Sequence, residues 1–339
     1  MKIKLKIFIL ILFTLILIPL TSCSFSLLEK KETSDTPTIR TKEDYQVPVP
    51  EKKGDYTITF VCNNGYTYQS VSTSENKVLK PDNPTKEYAS FIGWSINLDY
   101  KELFNFNTVI DKDLVLYAKY STDFVSLYNH VSTKLVLTNV TVAVENKDHF
   151  ANVSNALGSG VIIFESSNYY YALTNHHVVY TSSGTQKIVV LDAYQNQSQA
   201  TVVCKDVSYD LALLKFEKSG RAKVASIAQY EVYKNELVFA IGQPEGLSNA
   251  VTSGFILGKK TNVPDPSTLE KSNITFDIYY SNAPIDSGSS GGALFDSNLN
   301  LIGINFASTF NDSNEFVSSE AIPSDEIIEF LKKYTNFYE

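Results

Sequence analysis

The chain has 339 residues, with 29 basic and 37 acidic side chains and a formal net charge of −8. An acidic chain without a basic stripe argues against a nucleic-acid partner. Its cysteines and histidines form no cluster at metal-ligand spacing, so no metal and no organic cofactor is expected. At the N-terminus, Lys2, Lys4 and Lys6 precede an apolar run from Ile7 to Phe13, which resumes after Thr14 and reaches Leu20. A basic start followed by an apolar stretch of about this length reads as a secretory signal, since about 20 residues cross a bilayer.

The signal ends in Leu20-Thr-Ser-Cys23, which resembles the bacterial lipobox. That resemblance implies removal of residues 1–22, acylation of Cys23 and a lipid anchor on the extracytoplasmic face of the cell membrane. More than one acyl chain makes such anchoring stable. Removal takes away three lysines and no acidic residue, leaving 26 basic against 37 acidic side chains. The two other cysteines, Cys62 and Cys204, fall in different predicted domains, so no structural disulfide is expected. Residues 23–53 read as a flexible linker. They are charged, rich in Thr and Ser, broken by Pro37, Pro48 and Pro50, and too poor in large apolar groups for a core.

Residues 54–120 form a small unit of their own. Tyr56-Thr-Ile-Thr-Phe60 alternates like a half-buried strand, Asn63-Asn-Gly65 signals a turn, and Pro81 and Pro84 break the chain. Trp94 is the sole tryptophan and is expected in the core of so small a unit. Pro84-Thr-Lys-Glu87, Phe91-Ile-Gly-Trp94 and Leu116-Tyr-Ala-Lys119 resemble the InlB B-repeat, also called the Listeria–Bacteroides repeat. Asn64-Gly65 keeps only part of that family's turn, and Tyr120 stands where its final Trp would be. The resemblance implies a β-grasp-like fold and a spacer or adhesion role, with a surface or cell-wall ligand unassigned.

From residue 121 the pattern changes. Phe124, Leu127, Tyr128 and Val131 recur at helical spacing and predict a short lead-in helix. Strand patterns then run to about residue 320. Ser324 is a candidate N-cap for a helix through Tyr334, with Asp325 and Glu326 in its first turn and Lys332 and Lys333 in its last, complementing the dipole.

Three segments within the strand-rich part carry chemistry. Ile285-Asp-Ser-Gly-Ser-Ser-Gly-Gly-Ala-Leu294 places a serine among glycines that let backbone N–H groups approach a reacting carbonyl. Tyr171-Ala-Leu-Thr-Asn-His-His-Val-Val179 puts histidines at the end of an apolar strand, and Asp210-Leu-Ala-Leu-Leu214 starts another with a carboxylate. The order His, Asp, Ser is that of the chymotrypsin type. A serine hydroxyl needs a histidine to take its proton, and a carboxylate to hold that ring in the right tautomer. Asp206 does not start an apolar run, and His130 and His149 lie outside any motif, so these read as surface or packing residues.

Gly158-Ser-Gly-Val-Ile-Ile163, Leu173-Thr-Asn-His-His-Val-Val179, Asp210-Leu-Ala-Leu-Leu214, Phe239-Ala-Ile-Gly-Gln-Pro-Glu-Gly-Leu247, Val251-Thr-Ser-Gly254, Gly288-Ser-Ser-Gly-Gly292, Leu301-Ile-Gly-Ile-Asn305 and Ala321-Ile-Pro323 together resemble the HtrA/Deg serine proteases. The resemblance implies a mainly β fold, a chymotrypsin-like double β-barrel of six strands each, with the active site between barrels. It implies Ser290 as nucleophile, Asp210 as orienting carboxylate and His177 as base. His176 falls on the family's variable position and is expected to be a solvated neighbour. The N–H groups of Gly288 and Ser290 would form the oxyanion hole. Asp286, Ser287, Ser289 and Ala293 replace the family's Asn, Pro, Asn and Pro. Uncharged Ser289 cannot pair with a newly cut N-terminal amine, so activation by N-terminal cleavage is not expected. Loss of proline at 287 removes a fixed φ, so a more mobile loop is expected. Pro284 stands where trypsin-like enzymes carry the aspartate that binds Lys or Arg. The expected pocket wall, Asn305-Phe306-Ala307, is uncharged too, which implies cleavage after small or medium apolar residues. Many relatives continue into a PDZ domain, which is not expected here. The implied activity is serine endopeptidase, with polypeptide substrates. A catalytically silent protease fold used as a surface adhesin, and an esterase using the same site, stay open.

Overall fold

The computed structural model describes residues 45–218, 220–244 and 249–337. Cys23 and the predicted signal lie outside the described residues. Among those described, no helix is long and apolar enough to cross a membrane.

The first layer is a four-stranded sheet of β1 (Lys53–Val61), β2 (Thr67–Thr73), β3 (Ala89–Ser95) and β4 (Leu114–Thr122), in the order β2-β1-β4-β3. The central pair, β1 and β4, runs parallel, and the outer pairs are antiparallel. The alternation read in β1 sends Ile58 and Phe60 inward, where both are fully buried. Trp94 is 1% exposed and meets Phe60 and Phe91 edge-on at 5.0 and 5.6 Å. Tyr45 and Val47, which the sequence reading places in the linker, pack against this core, and the Tyr45 and Tyr68 rings lie 4.6 Å apart. Aromatic side chains bury enough area to hold such a segment down.

Helix α1 (Phe124–Leu135) follows, capped by the Asp123 carboxylate, which accepts from Ser126 N at 3.2 Å. It buries Leu127, Val131 and Leu135, the face its spacing predicts. Six strands then close into a barrel: β5 (Asn139–Lys147), β6 (Val153–Glu165), β7 (Tyr169–Thr174), β8 (Thr185–Leu191), β9 (Gln197–Asp206) and β10 (Leu211–Glu217). Val140, Val142 and Val144 alternate into its interior. A short β11 (Ser226–Ile227) leads to the second barrel, formed by β12 (Leu237–Gly242), β13 (Ala250–Thr261), β14 (Asp277–Ser281), β15 (Ala293–Asp296), β16 (Asn300–Phe310) and β17 (Phe316–Pro323). This barrel closes because β16 pairs with both β15 and β17. The mainly β, double-barrel architecture with an N-terminal β unit is the one expected from the sequence.

One apolar cluster joins the barrels. Leu173 and Leu213 of the first meet Phe239, Ile241 and Phe295 of the second, with both helices packed on. Burying each such side chain stabilises by about 1.5–3 kcal/mol, which holds the two barrels together. Helix α2 (Ser324–Tyr334) differs from expectation at its start. Pro323 is the N-cap and supplies no side-chain cap, and Ser324 is buried inside the helix. Its far end is tied to the first barrel, where the Asp206 carboxylate accepts from Lys333 Nζ at 3.0 Å and Tyr334 OH at 2.7 Å. Burial raises the pKa of Asp206, but these donors and Ser208 N more than offset it and hold the group below its ordinary value. Asp206 is thus a structural anchor.

The N-terminal unit rests on the second barrel. Asn235 Nδ2 donates to Leu98 O, and the Tyr117 and Tyr233 rings meet edge-on at 5.6 Å. Half-buried Lys86 donates to Asn63 O at 2.7 Å and faces Glu236 and Asp296 of the barrel. Burial raises the Glu236 carboxyl to about 7, against the opposing pull of the Lys86 ammonium. Cys62 and Cys204 are both unpaired thiols.

Candidate active site

Strand β7 ends at Thr174, whose hydroxyl donates to Ser159 O at 2.7 Å. The chain then turns through Asn175 and His176 into a single 3-10 turn, His177–Val179. Val178 and Val179 drop into the barrel core, which leaves the His177 side chain at the cleft, 26% exposed. Asp210 stands just before β10 in left-handed backbone, φ 49°. Its main-chain oxygen accepts from His176 N and from Asn175 Nδ2, both at 3.0 Å. These bonds hold the two turns together.

The Asp210 carboxylate is fully buried. Its Oδ1 accepts from His177 N at 2.9 Å, and its Oδ2 lies 2.7 Å from His177 Nδ1. An ionised carboxylate only accepts, so Nδ1 carries the ring proton and Nε2 is left as the basic nitrogen. Such an imidazole is oriented and ready to take a proton from a neighbour.

Ser290 lies in the loop between β14 and β15. Ser159, of the first barrel, holds this loop twice: its N–H donates to Ser290 O and its hydroxyl to Gly288 O, each at 2.8 Å. Gly291 has φ +83°, and a Cβ built on it would lie 2.2 Å from Ser159 O, 2.3 Å from Thr174 Oγ1 and 3.0 Å from Asn175 N. The residue after Ser290 is therefore in direct contact with the turn that leads to His177. Among the described residues, neither Gly288 N nor Ser290 N donates to a protein acceptor. The expected bond between Ser290 and His177 is not formed. The Ser290 hydroxyl turns instead toward Phe306 O, at 3.4 Å. A rotation about χ1 redirects that hydroxyl, and catalytic hydrogen bonds commonly tighten only on substrate binding.

The remaining candidates separate. Pro284 is exposed, and its carbonyl accepts from Thr252 Oγ1 at 2.7 Å. Asn305 is fully buried, with Nδ2 donating to Ala293 O at 3.0 Å, so its side chain points into the barrel instead of forming a pocket wall. Phe306 and Ala307 are half-buried at an irregularity in the β16–β17 pairing. Ser289 is buried, with its hydroxyl 3.4 Å from Asp286 N. His176 is 7% exposed and not solvated, because Nδ1 lies 2.8 Å from the carbonyl of Lys271, in a loop of the second barrel. His130 packs on the Tyr88 ring at 5.0 Å, and His149 is exposed. Ser159 belongs to no catalytic motif, and its one signal in the sequence is a place between Gly158 and Gly160.

Residues 158–304 match the trypsin-like peptidase domain, and residues 56–119 match the Listeria-Bacteroides repeat domain. A trypsin-like peptidase domain follows a Listeria-Bacteroides repeat in this chain. The chain is 34% identical over 196 residues to the probable periplasmic serine protease do/HhoA-like of Haemophilus influenzae, a match covering 57% of this chain and 39% of that protein. It is 34% identical over 177 residues to the periplasmic serine endoprotease DegP of Salmonella typhimurium, covering 51% of this chain and 34% of the relative. It is 32% identical over 181 residues to the serine endoprotease DegS of Haemophilus influenzae, covering 53% and 50%. The chain thus spans half or less of the length of these relatives. The trypsin-like peptidase domain takes in His177, Asp210 and Ser290.

Proposed function

We propose that the trypsin-like peptidase domain is a serine endopeptidase, with Ser290 as nucleophile, His177 as general base then acid, and Asp210 as the carboxylate that orients it. The carrying observation is the fully buried Asp210 carboxylate, 2.7 Å from His177 Nδ1, on the turn that Gly291 touches. The serine hydroxyl would attack the peptide carbonyl as Nε2 takes its proton. The amides of Gly288 and Ser290, without protein acceptors among the described residues, would stabilise the resulting oxyanion. His177 would then protonate the leaving amine, and water would release the acyl group by the same route reversed. Uncharged Pro284, Phe306 and Ala307 support cleavage after small or medium apolar residues.

A fluorophosphonate probe tests this reading. The folded chain should label at neutral pH, Ser290→Ala and His177→Ala should not, and His176→Ala should keep labelling. Absence of labelling in the folded wild type would favour a binding role. Loss in His176→Ala but not in His177→Ala would reassign the base.

The enzyme would act at the outer face of the cell membrane, anchored through acylated Cys23, as Lys2, Lys4, Lys6 and Leu20-Thr-Ser-Cys23 suggest. Metabolic labelling with palmitate should mark the wild type and not Cys23→Ala. Equal labelling of both would place the anchor elsewhere.

A further inference from the structure

His177 forms part of the wall of an open cleft of about 530 Å³, between the β5–β6 hairpin, residues 180–183 and Lys271. Two of the cleft's side chains carry full charges, Asp148 and Lys271. The Asp148 carboxylate is occupied by its own hairpin. It accepts from Phe150 N, Asn152 N and Asn152 Nδ2, each at 2.8 Å. Lys271 is different. Its side chain is exposed, and among the described residues its ammonium has neither a hydrogen bond nor an ion pair.

The stem of Lys271 is held firmly. Its carbonyl lies 2.8 Å from His176 Nδ1, and its amide donates to Thr268 O at 2.8 Å. Two residues on, Asn273 N donates to Val207 O at 2.9 Å. His176 N in turn donates to Asp210 O. A loop of the second barrel is thereby clasped to the two turns that carry His177 and Asp210. An ammonium without a partner among the described residues is thus carried on a fixed backbone in the wall of the cleft that His177 also lines.

We propose that Lys271 is a specificity-determining residue, which selects polypeptides carrying a carboxylate side chain close to the bond that is cut. This rests on the endopeptidase reading above. Asp148 shares the cleft but its oxygens are engaged by its own hairpin, so among the described residues Lys271 carries the one charge there without a partner, and its pull on a substrate carboxylate weakens as salt rises. His176 is the positioning residue that holds the Lys271 stem.

The test uses the full chain and pairs of peptides with Glu or Gln at each of the three positions on either side of an apolar cleavage site. At low salt, kcat/KM should favour Glu over Gln by about tenfold at one of these positions, and the preference should shrink as salt rises. Lys271→Gln, which leaves the backbone bond to His176 intact, should bring the ratio within about twofold. Lys271→Glu should reverse the preference toward a Lys peptide. His176→Ala should lower the Glu/Gln ratio while still labelling with the fluorophosphonate probe. A wild type that labels but shows no preference for Glu overturns the proposal, as does a preference that survives Lys271→Gln. A wild type that fails to label overturns the endopeptidase reading itself, and this inference with it.

Discussion

Asp210→Asn is expected to lower kcat/KM by about 10⁴-fold while leaving the fold intact. The wild-type carboxylate accepts from two donors of one residue, His177 N and His177 Nδ1. An asparagine offers one accepting oxygen and one donating amide in their place. If the oxygen stays with His177 N, the amide faces the ring and favours the tautomer with the proton on Nε2. That tautomer leaves no lone pair on Nε2 to take a serine proton. The substitution is nearly isosteric, so the surrounding bonds from Asn175 Nδ2 and His176 N to the main-chain oxygen survive. Steady-state hydrolysis of an apolar peptide, with circular dichroism as the fold control, checks this. A fall of less than tenfold in a folded variant would show that Asp210 is not the orienting group.

Gly291→Ala is expected to cost at least about 100-fold in kcat/KM, because a displacement of about 1 Å at a reacting centre suffices for that. The new Cβ would sit 2.2 Å from Ser159 O and 2.3 Å from Thr174 Oγ1. The backbone at φ +83° is also one that L side chains rarely adopt. Relief must come from moving the loop away from the first barrel. That breaks the bonds from Ser159 to Ser290 O and Gly288 O and displaces the Ser290 hydroxyl relative to His177. The initial rate of fluorophosphonate labelling reads this displacement directly. Labelling of Gly291→Ala at the wild-type rate would mean that the two barrels do not approach this closely in solution.

These two substitutions differ in how visible their effects are in the chain itself. Asp210 stands at the head of Leu211-Ala-Leu-Leu214, and a carboxylate starting an apolar strand is a local pattern. The glycines around Ser290 are local as well. They mark a turn whose backbone must do what a Cβ forbids. The clash at Gly291 is of another kind, since Ser159 and Thr174 are more than a hundred residues earlier in the chain. Likewise, nothing in the spacing of Asn305 shows that its side chain turns inward to Ala293 O. A wall position read from a motif is a statement about the backbone, whereas the Asn305 amide is placed by its partner on the neighbouring strand, Ala293 O.

His176 makes the same point. Two adjacent histidines at a strand end are equivalent in composition and were separable only through a resemblance to a motif. Their environments are settled by two partners far away, Asp210 for one ring and Lys271 O for the other.

The order of chemistry-bearing residues, the two-fold periodicity of the strands and the helical spacing before residue 139 were readable directly, because each depends on neighbours a few positions apart. The folded chain alone decided which hydroxyl conformer Ser290 adopts, that Ser159 stitches the Ser290 loop to the first barrel, that the N-terminal unit leans on the second, and that the Lys271 ammonium has no partner among the described residues. Those outcomes depend on contacts between segments whose separation along the chain has no periodic signature, so only closure of both barrels brings them about.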